Sequence, residues 1–298
     1  MPNLDELISR YLRAITVEGK SPKTVVSYAN SLADFRAVGR IVGLPDRLEE
    51  YRVDHVYEYL AELQRRGKSP IFRQRRQREV KACFGWFRRV GLIESNVFSR
   101  VPLVKVPEKL KHPFTPEEVH ALLGGQDRST RTGARNAALI LFLLDTGVRA
   151  SECIGIELSD IDWARERVLV RHGKGEKERW VGLGDRAREA VTHYLRFRGA
   201  DPGALFLTSR GGAMTSPGTL EIIFRRQARR VGVALANPHK FRHTFATWAI
   251  EAGAREIDVQ MLLGHADLTM THRYARTYTS EQAIRIHSTI SPANRLFR

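Results

Sequence analysis

Residues Val101 to Pro113 read Val-Pro-Leu-Val-Lys-Val-Pro-Glu-Lys-Leu-Lys-His-Pro, a run that suits no regular element. Pro102, Pro107 and Pro113 remove backbone donors and fix φ, so the run can be neither a stable helix nor a central strand. Its lysines keep it solvated. A chain interrupted there is expected to fold as two bodies, residues 1–100 and 114–298, joined by an extended linker over 101–113. With 298 residues, 42% of them hydrophobic, the chain has enough apolar material for two cores.

Helix signals fill the first body. Ser21-Pro22 and Ser69-Pro70 each place a capping hydroxyl before a proline at the first helical position, where a missing N–H costs nothing. Leu4, Leu7, Ile8, Tyr11 and Leu12 follow helical spacing, as do Val25, Tyr28, Leu32 and Phe35. A third helix runs from Val53 through Tyr57, Leu60 and Leu63, and a fourth turns Val80, Phe84 and Phe87 inward. Four helices make a compact all-α domain. The second body opens with a capping box at Thr115-Pro116-Glu117-Glu118. Helices are predicted over 135–144, 150–158, 185–198, 216–231, 239–252, 255–263 and 267–276. Arg167–Arg171 and Arg179–Leu183 are predicted strands around the polar hairpin Gly173–Lys177. The fold class is mainly α, with one small antiparallel sheet.

Lys and Arg number 49 against 33 Asp and Glu, a formal net charge of +16. Such a field attracts polyanions and gains from counterion release on a phosphate backbone. Between Arg65 and Arg89 stand ten basic residues and a single acid, Glu79. Arg73, Arg75, Arg76, Arg78 and Lys81 are therefore candidate DNA contacts on one side of the fourth helix. Cys83 and Cys153 lie in apolar helical surroundings and read as small core residues of a reducing compartment. The N-terminus carries no signal-peptide pattern and no stretch approaches membrane-spanning length, so a cytoplasmic protein is expected.

The second body also carries an ordered set of polar residues: Arg149 in Thr146-Gly147-Val148-Arg149-Ala150-Ser151-Glu152, then Lys174, His239 and Arg242 in His239-Lys240-Phe241-Arg242, His265 in Leu263-Gly264-His265, and Tyr274 nine residues later. No His-Glu-x-x-His, acidic cluster, Cys/His ligand spacing or Walker-type glycine loop is present. Chemistry without metal or nucleotide cofactor is expected. A tyrosine hydroxyl can attack phosphorus and stay attached, conserving bond energy for rejoining. The transition state spreads charge over equatorial oxygens and needs fixed cations, a task for the planar forks of Arg149 and Arg242. His239 and Arg242 are three apart on one helix face. A straight helix from His265 to Tyr274 would separate them by about 13 Å, so a turn at Ala266-Asp267 is required. Tyr278 is the competing tyrosine and Lys177 the competing lysine.

The order and spacing of these motifs resemble the tyrosine recombinase (phage integrase) family from about residue 112 to the end. The resemblance implies the DNA breaking-rejoining fold, with an N-terminal SAM-like core-binding domain that clamps DNA and a catalytic domain behind it. It implies that Tyr274 is the nucleophile, that Arg149, His239, Arg242 and His265 serve the phosphate, and that Lys174 is the general acid for the 5′ oxygen. Glu152 is expected to orient Arg149 or a neighbouring cation. The implied partners are double-stranded DNA and three further copies of the chain, a monomer in solution becoming a tetramer on synapsed sites, with accessory or host factors setting direction. The layout resembles Xer-type chromosome-dimer recombinases, whereas Thr271-His272-Arg273-Tyr274-Ala275-Arg276 looks more like phage or transposon integrases. Integration or excision of a mobile element is the expected task, with Xer-type resolution, or a catalytically silent DNA-binding protein on the same scaffold, as the alternatives. An apolar helix around Ala283, Ile284 and Ile286 is expected to dock on a neighbouring subunit or on its own domain.

Overall fold

The computed structural model describes residues 3–107, 112–171 and 178–264. The chain divides into two compact units, 1–110 and 111–298. The first unit holds four helices: α1 (Leu4–Val17), α2 (Pro22–Val42), α3 (Val53–Arg65) and α4 (Pro70–Arg89). Ser21 and Ser69 cap α2 and α4, accepting the Thr24 and Phe72 amides at 3.2 and 3.3 Å. Helix α2 packs against the other three. The core is aromatic at its centre, where Phe35 meets Tyr59, Phe84 and Phe98 edge-on at centroid separations of 5.0–6.1 Å.

The predicted linker does not leave this unit at residue 101. Val101 is buried, and the Gln77 side chain from α4 grips the extended chain that follows. Its amide donates to the Pro102 carbonyl at 2.8 Å, its oxygen accepts the Val104 N–H at 2.9 Å, and Gln74 donates to the Val104 carbonyl at 2.9 Å. Two glutamines supply what a neighbouring strand would, so backbone that cannot join a sheet is satisfied against a helix.

The second unit begins with α5 (Pro116–Gly124), opened by the reciprocal Thr115–Glu118 capping box. Helix α6 (Arg131–Thr146) starts four residues earlier than its apolar run, because Thr130 caps it by accepting the Gly133 amide. α7 (Ala150–Gly155) is shorter than expected. It stops at extended Ile156, whose carbonyl accepts the Leu205 amide while the Leu158 amide bonds Gly203, so cross-chain pairing replaces helix continuation. The sheet is an antiparallel meander of β1 (Ile161–Asp162), β2 (Arg167–Val170) and β3 (Arg179–Gly182). β1 is too short to show alternation and was not expected. The remaining α-helices among the described residues are α8 (Asp185–Arg198), α9 (Pro217–Arg230), α10 (Pro238–Glu251) and α11 (Glu256–Leu263). Helix α6 is buried along most of its length and packs against α5, α8, α10 and β3, making it the axis on which the site is built.

Candidate active site

Helix α6 ends at Gly147, whose φ of 61° is the left-handed conformation that glycine tolerates best. A β-carbon there would also come within 2.5 Å of the Phe245 ring. The turn buries Val148 completely and delivers Arg149 to the N-cap position of α7. Glu152, three residues on, accepts the Arg149 backbone N–H at 2.8 Å and its guanidinium at 2.7 Å. The start of α7 thus carries the protein's own carboxylate. Arg149 extends onward to donate to the Gly264 carbonyl at 3.1 Å.

Arg242, on the second turn of α10, is buried and donates to two carbonyls at 2.8 Å, those of Gly147 and Leu263. Asn237 caps α10 through the Lys240 amide, and Pro238 occupies its first turn. His239 follows buried Pro238 on the same helix and is exposed, whereas His243 is buried. Lys240 faces elsewhere, bonding Glu118 at 2.9 Å and lying over the Phe114 ring, so it ties α10 to α5.

A third arginine was missed by sequence reasoning. Arg179, the first residue of β3, donates Nε to the Leu262 carbonyl at 2.8 Å and both terminal nitrogens to Glu152 at 3.1 and 2.8 Å. Alternation along β3 puts it on the side of buried Val181, opposite exposed Trp180, and that was the available signal. Three guanidinium groups therefore meet the last carbonyls of α11, residues 262–264, where a helix dipole favours cations. Gly264 closes α11 at φ 63°. Burial pushes the Glu152 carboxyl up, but hydrogen bonds and charge from Arg179 and Arg149 outweigh it and hold the group below the usual carboxylate range.

Arg149, Glu152, Arg179 and Arg242 are thus assembled at one place, with His239 one helical turn from Arg242. Lys174, Lys177, His265, Tyr274, Tyr278, the 267–276 helix and the C-terminal tail lie outside the described residues. Among the described residues no cluster of three or more His, Cys, Asp or Glu is arranged to hold a metal ion. None of their helices is long and apolar enough to cross a membrane.

In the first unit, the candidate DNA contacts differ in availability. Arg78 is exposed and Lys81 partly so. Arg76 is mostly buried, bonded to Ser31, 3.5 Å from Asp34 and stacked over Phe72, while Arg73 donates to Gln64 at 2.6 Å. Arg75 reaches Glu79 at 3.2 Å but stays half-exposed.

Residues 113–281 match the phage integrase family. Over 294 residues the chain is 31% identical to the tyrosine recombinase XerC of Bacillus subtilis (strain 168), covering 96% of this chain and 95% of that one. In fold it is similar to the Tn1549 transposon integrase solved with a circular intermediate DNA, at TM-score 0.78 and 20% identity over 96% of this chain and 98% of that one. It is similar also to the lambda integrase dimer bound to a core site, at TM-score 0.75 and 20% identity over 90% and 97% of the two chains. The chain belongs to the phage integrase family, the tyrosine recombinases that break and rejoin DNA.

Proposed function

We propose that this enzyme cuts and rejoins specific DNA sites through a 3′-phosphotyrosyl bond on Tyr274, within the bacterial or host cytoplasm. The observation that carries the assignment is the convergence of Arg149 and Arg242 on the turn that runs into His265. A guanidinium is a permanently charged planar fork of five N–H donors, the group suited to phosphate oxygens. The Tyr274 hydroxyl gives its proton to solvent and attacks phosphorus, and the bond between phosphorus and the 5′ oxygen breaks. Arg149 and Arg242 stabilise the charge on the non-bridging oxygens, assisted by His239 and His265. Lys174 gives its proton to the departing 5′ oxygen, with Lys177 the competing donor. The 5′ hydroxyl of an exchanged strand reverses these steps and frees the tyrosine. Arg78, Lys81 and Arg75 hold the flanking backbone electrostatically. Lambda integrase has been solved as a tetramer on a Holliday junction, which supports a synaptic tetramer here.

Integration or excision of a mobile element is the task favoured by the residues around Tyr274. Xer-type resolution is the second reading, favoured by full-length relatives named XerC.

A duplex nicked beside the cleavage point loses its short product and traps the covalent complex. With such a substrate and a chelator present, the wild-type protein is expected to give a DNA adduct on a denaturing gel. Tyr274→Phe should bind the duplex and give none. An adduct formed by that variant would move the nucleophile to Tyr278, and no adduct from the wild type would overturn the function.

A further inference from the structure

We propose that Arg179 is a positioning residue that locks Glu152, Arg149 and the carbonyl turn ahead of His265 into one unit. The inference rests on the function proposed above. Its guanidinium makes three bonds, two to the separate oxygens of Glu152 and one to the Leu262 carbonyl. The side chain is only 12% exposed, so these bonds act in a low-dielectric setting. A β-carbon at Gly264 would stand 3.0 Å from Nη1 and 3.1 Å from Cζ, so the turn lies directly against the guanidinium.

Three elements depend on this one group. Glu152 is the residue that holds Arg149 by both its backbone and its side chain, so fixing the carboxylate fixes the arginine. Leu262 precedes the Leu263 and Gly264 carbonyls that Arg242 and Arg149 bind, so the same contact sets the far end of both. Finally, Arg179 opposite Val170 is the last paired position of the β2–β3 ladder, five residues beyond Lys174. The end of the β2–β3 ladder is thereby pinned to the arginines. Lysine cannot reproduce this, because one ammonium cannot meet two carboxylate oxygens and a carbonyl in fixed directions.

The test compares Arg179→Ala, Arg179→Lys, Glu152→Gln and the double variant Arg179→Ala/Glu152→Gln on the nicked duplex, measuring affinity and single-turnover adduct formation at saturating DNA. Misplacement of reacting groups is expected to slow adduct formation by about 100-fold in Arg179→Ala and detectably in Arg179→Lys, while affinity holds. Because Arg179 acts through Glu152, the double variant should be little slower than the worse single variant. Free guanidinium ion should partly restore Arg179→Ala and do nothing for Glu152→Gln. An unchanged rate in Arg179→Ala, losses that multiply in the double variant, or parallel falls in rate and affinity would overturn the proposal. So would failure of both Arg179→Ala and Arg179→Lys to fold, since the residue would then serve the fold alone. A wild-type protein that forms no adduct would remove the function itself, a different outcome from any of these.

Discussion

Glu79 in the first unit and Glu152 in the second are both buried beside arginine, and the two arrangements are built to different ends. In the first, Glu79 accepts Ser27 and Ser31 hydroxyls from α2 together with Arg75. The cation it holds stays 55% exposed, on a helix that also presents Arg78, Arg88 and Arg89 to solvent. In the second, Glu152 is surrounded by Arg149 and Arg179, with side chains 28% and 12% exposed, each of which also donates to one backbone carbonyl. An arginine anchored at one end by a hydroxyl-bonded carboxylate can still follow a flexible polyanion. One fixed by carboxylate and carbonyls together presents charge at a single point, which is what a transition state requires and what general attraction does not.

The largest effect that would break this comparison lies in the second unit. Arg149→Lys and Arg242→Lys keep the charge and lose the fork, and cleavage at saturating DNA should fall by roughly 100- to 1,000-fold. Single-turnover kinetics with the nicked duplex checks this, and a rate near wild type would mean that charge alone suffices.

A smaller effect concerns acid stability. Burial raises the carboxyls of both glutamates, but their hydrogen bonds and cations win and leave each below its ordinary value. A group with a lowered folded pKa stabilises the protein above its unfolded value, about pH 4.3, and that stability is lost as pH falls through the folded value. Glu152→Gln leaves two largely buried guanidinium groups without their carboxylate and should cost about 3 kcal/mol at neutral pH. Glu79→Gln, beside a half-exposed arginine, should cost about 1 kcal/mol. In calorimetric scans from pH 7 down to pH 3, both variants should vary less with pH than the wild type. An acid limb as steep as the wild type's in Glu152→Gln would show that its carboxylate is not held by the arginines.

What the sequence made legible was local. Helix starts at Ser21, Ser69 and Thr115 are written within three residues, because a cap needs only the hydroxyl and the amides beside it. Motif spacing singled out Arg149 and Arg242, which the fold brings to adjacent carbonyls at residues 263 and 264. What stayed hidden was decided by distant partners. Gln77 looked like one more polar residue of a basic helix, yet it holds the chain at 102–104. Helix α7 ends early because of residues 203–205. Arg179 stood in a strand as an apparent hairpin flank, and its importance comes from Glu152 and Leu262, 27 and 83 positions away. Arg76 counted towards a DNA-facing surface until Ser31, Asp34 and Phe72 enclosed it.

The division of labour between the units is tested most directly by measuring salt-dependent DNA affinity and saturating cleavage rate side by side for two proteins. One carries Arg78→Ala with Lys81→Ala, and the other carries Arg242→Lys. The first should lose affinity, with the slope of log K against log salt reduced by roughly 1 to 2, and should keep its saturating rate. The second should keep the slope and lose the rate. Losses of rate and affinity in the same proportion for both proteins would contradict the account.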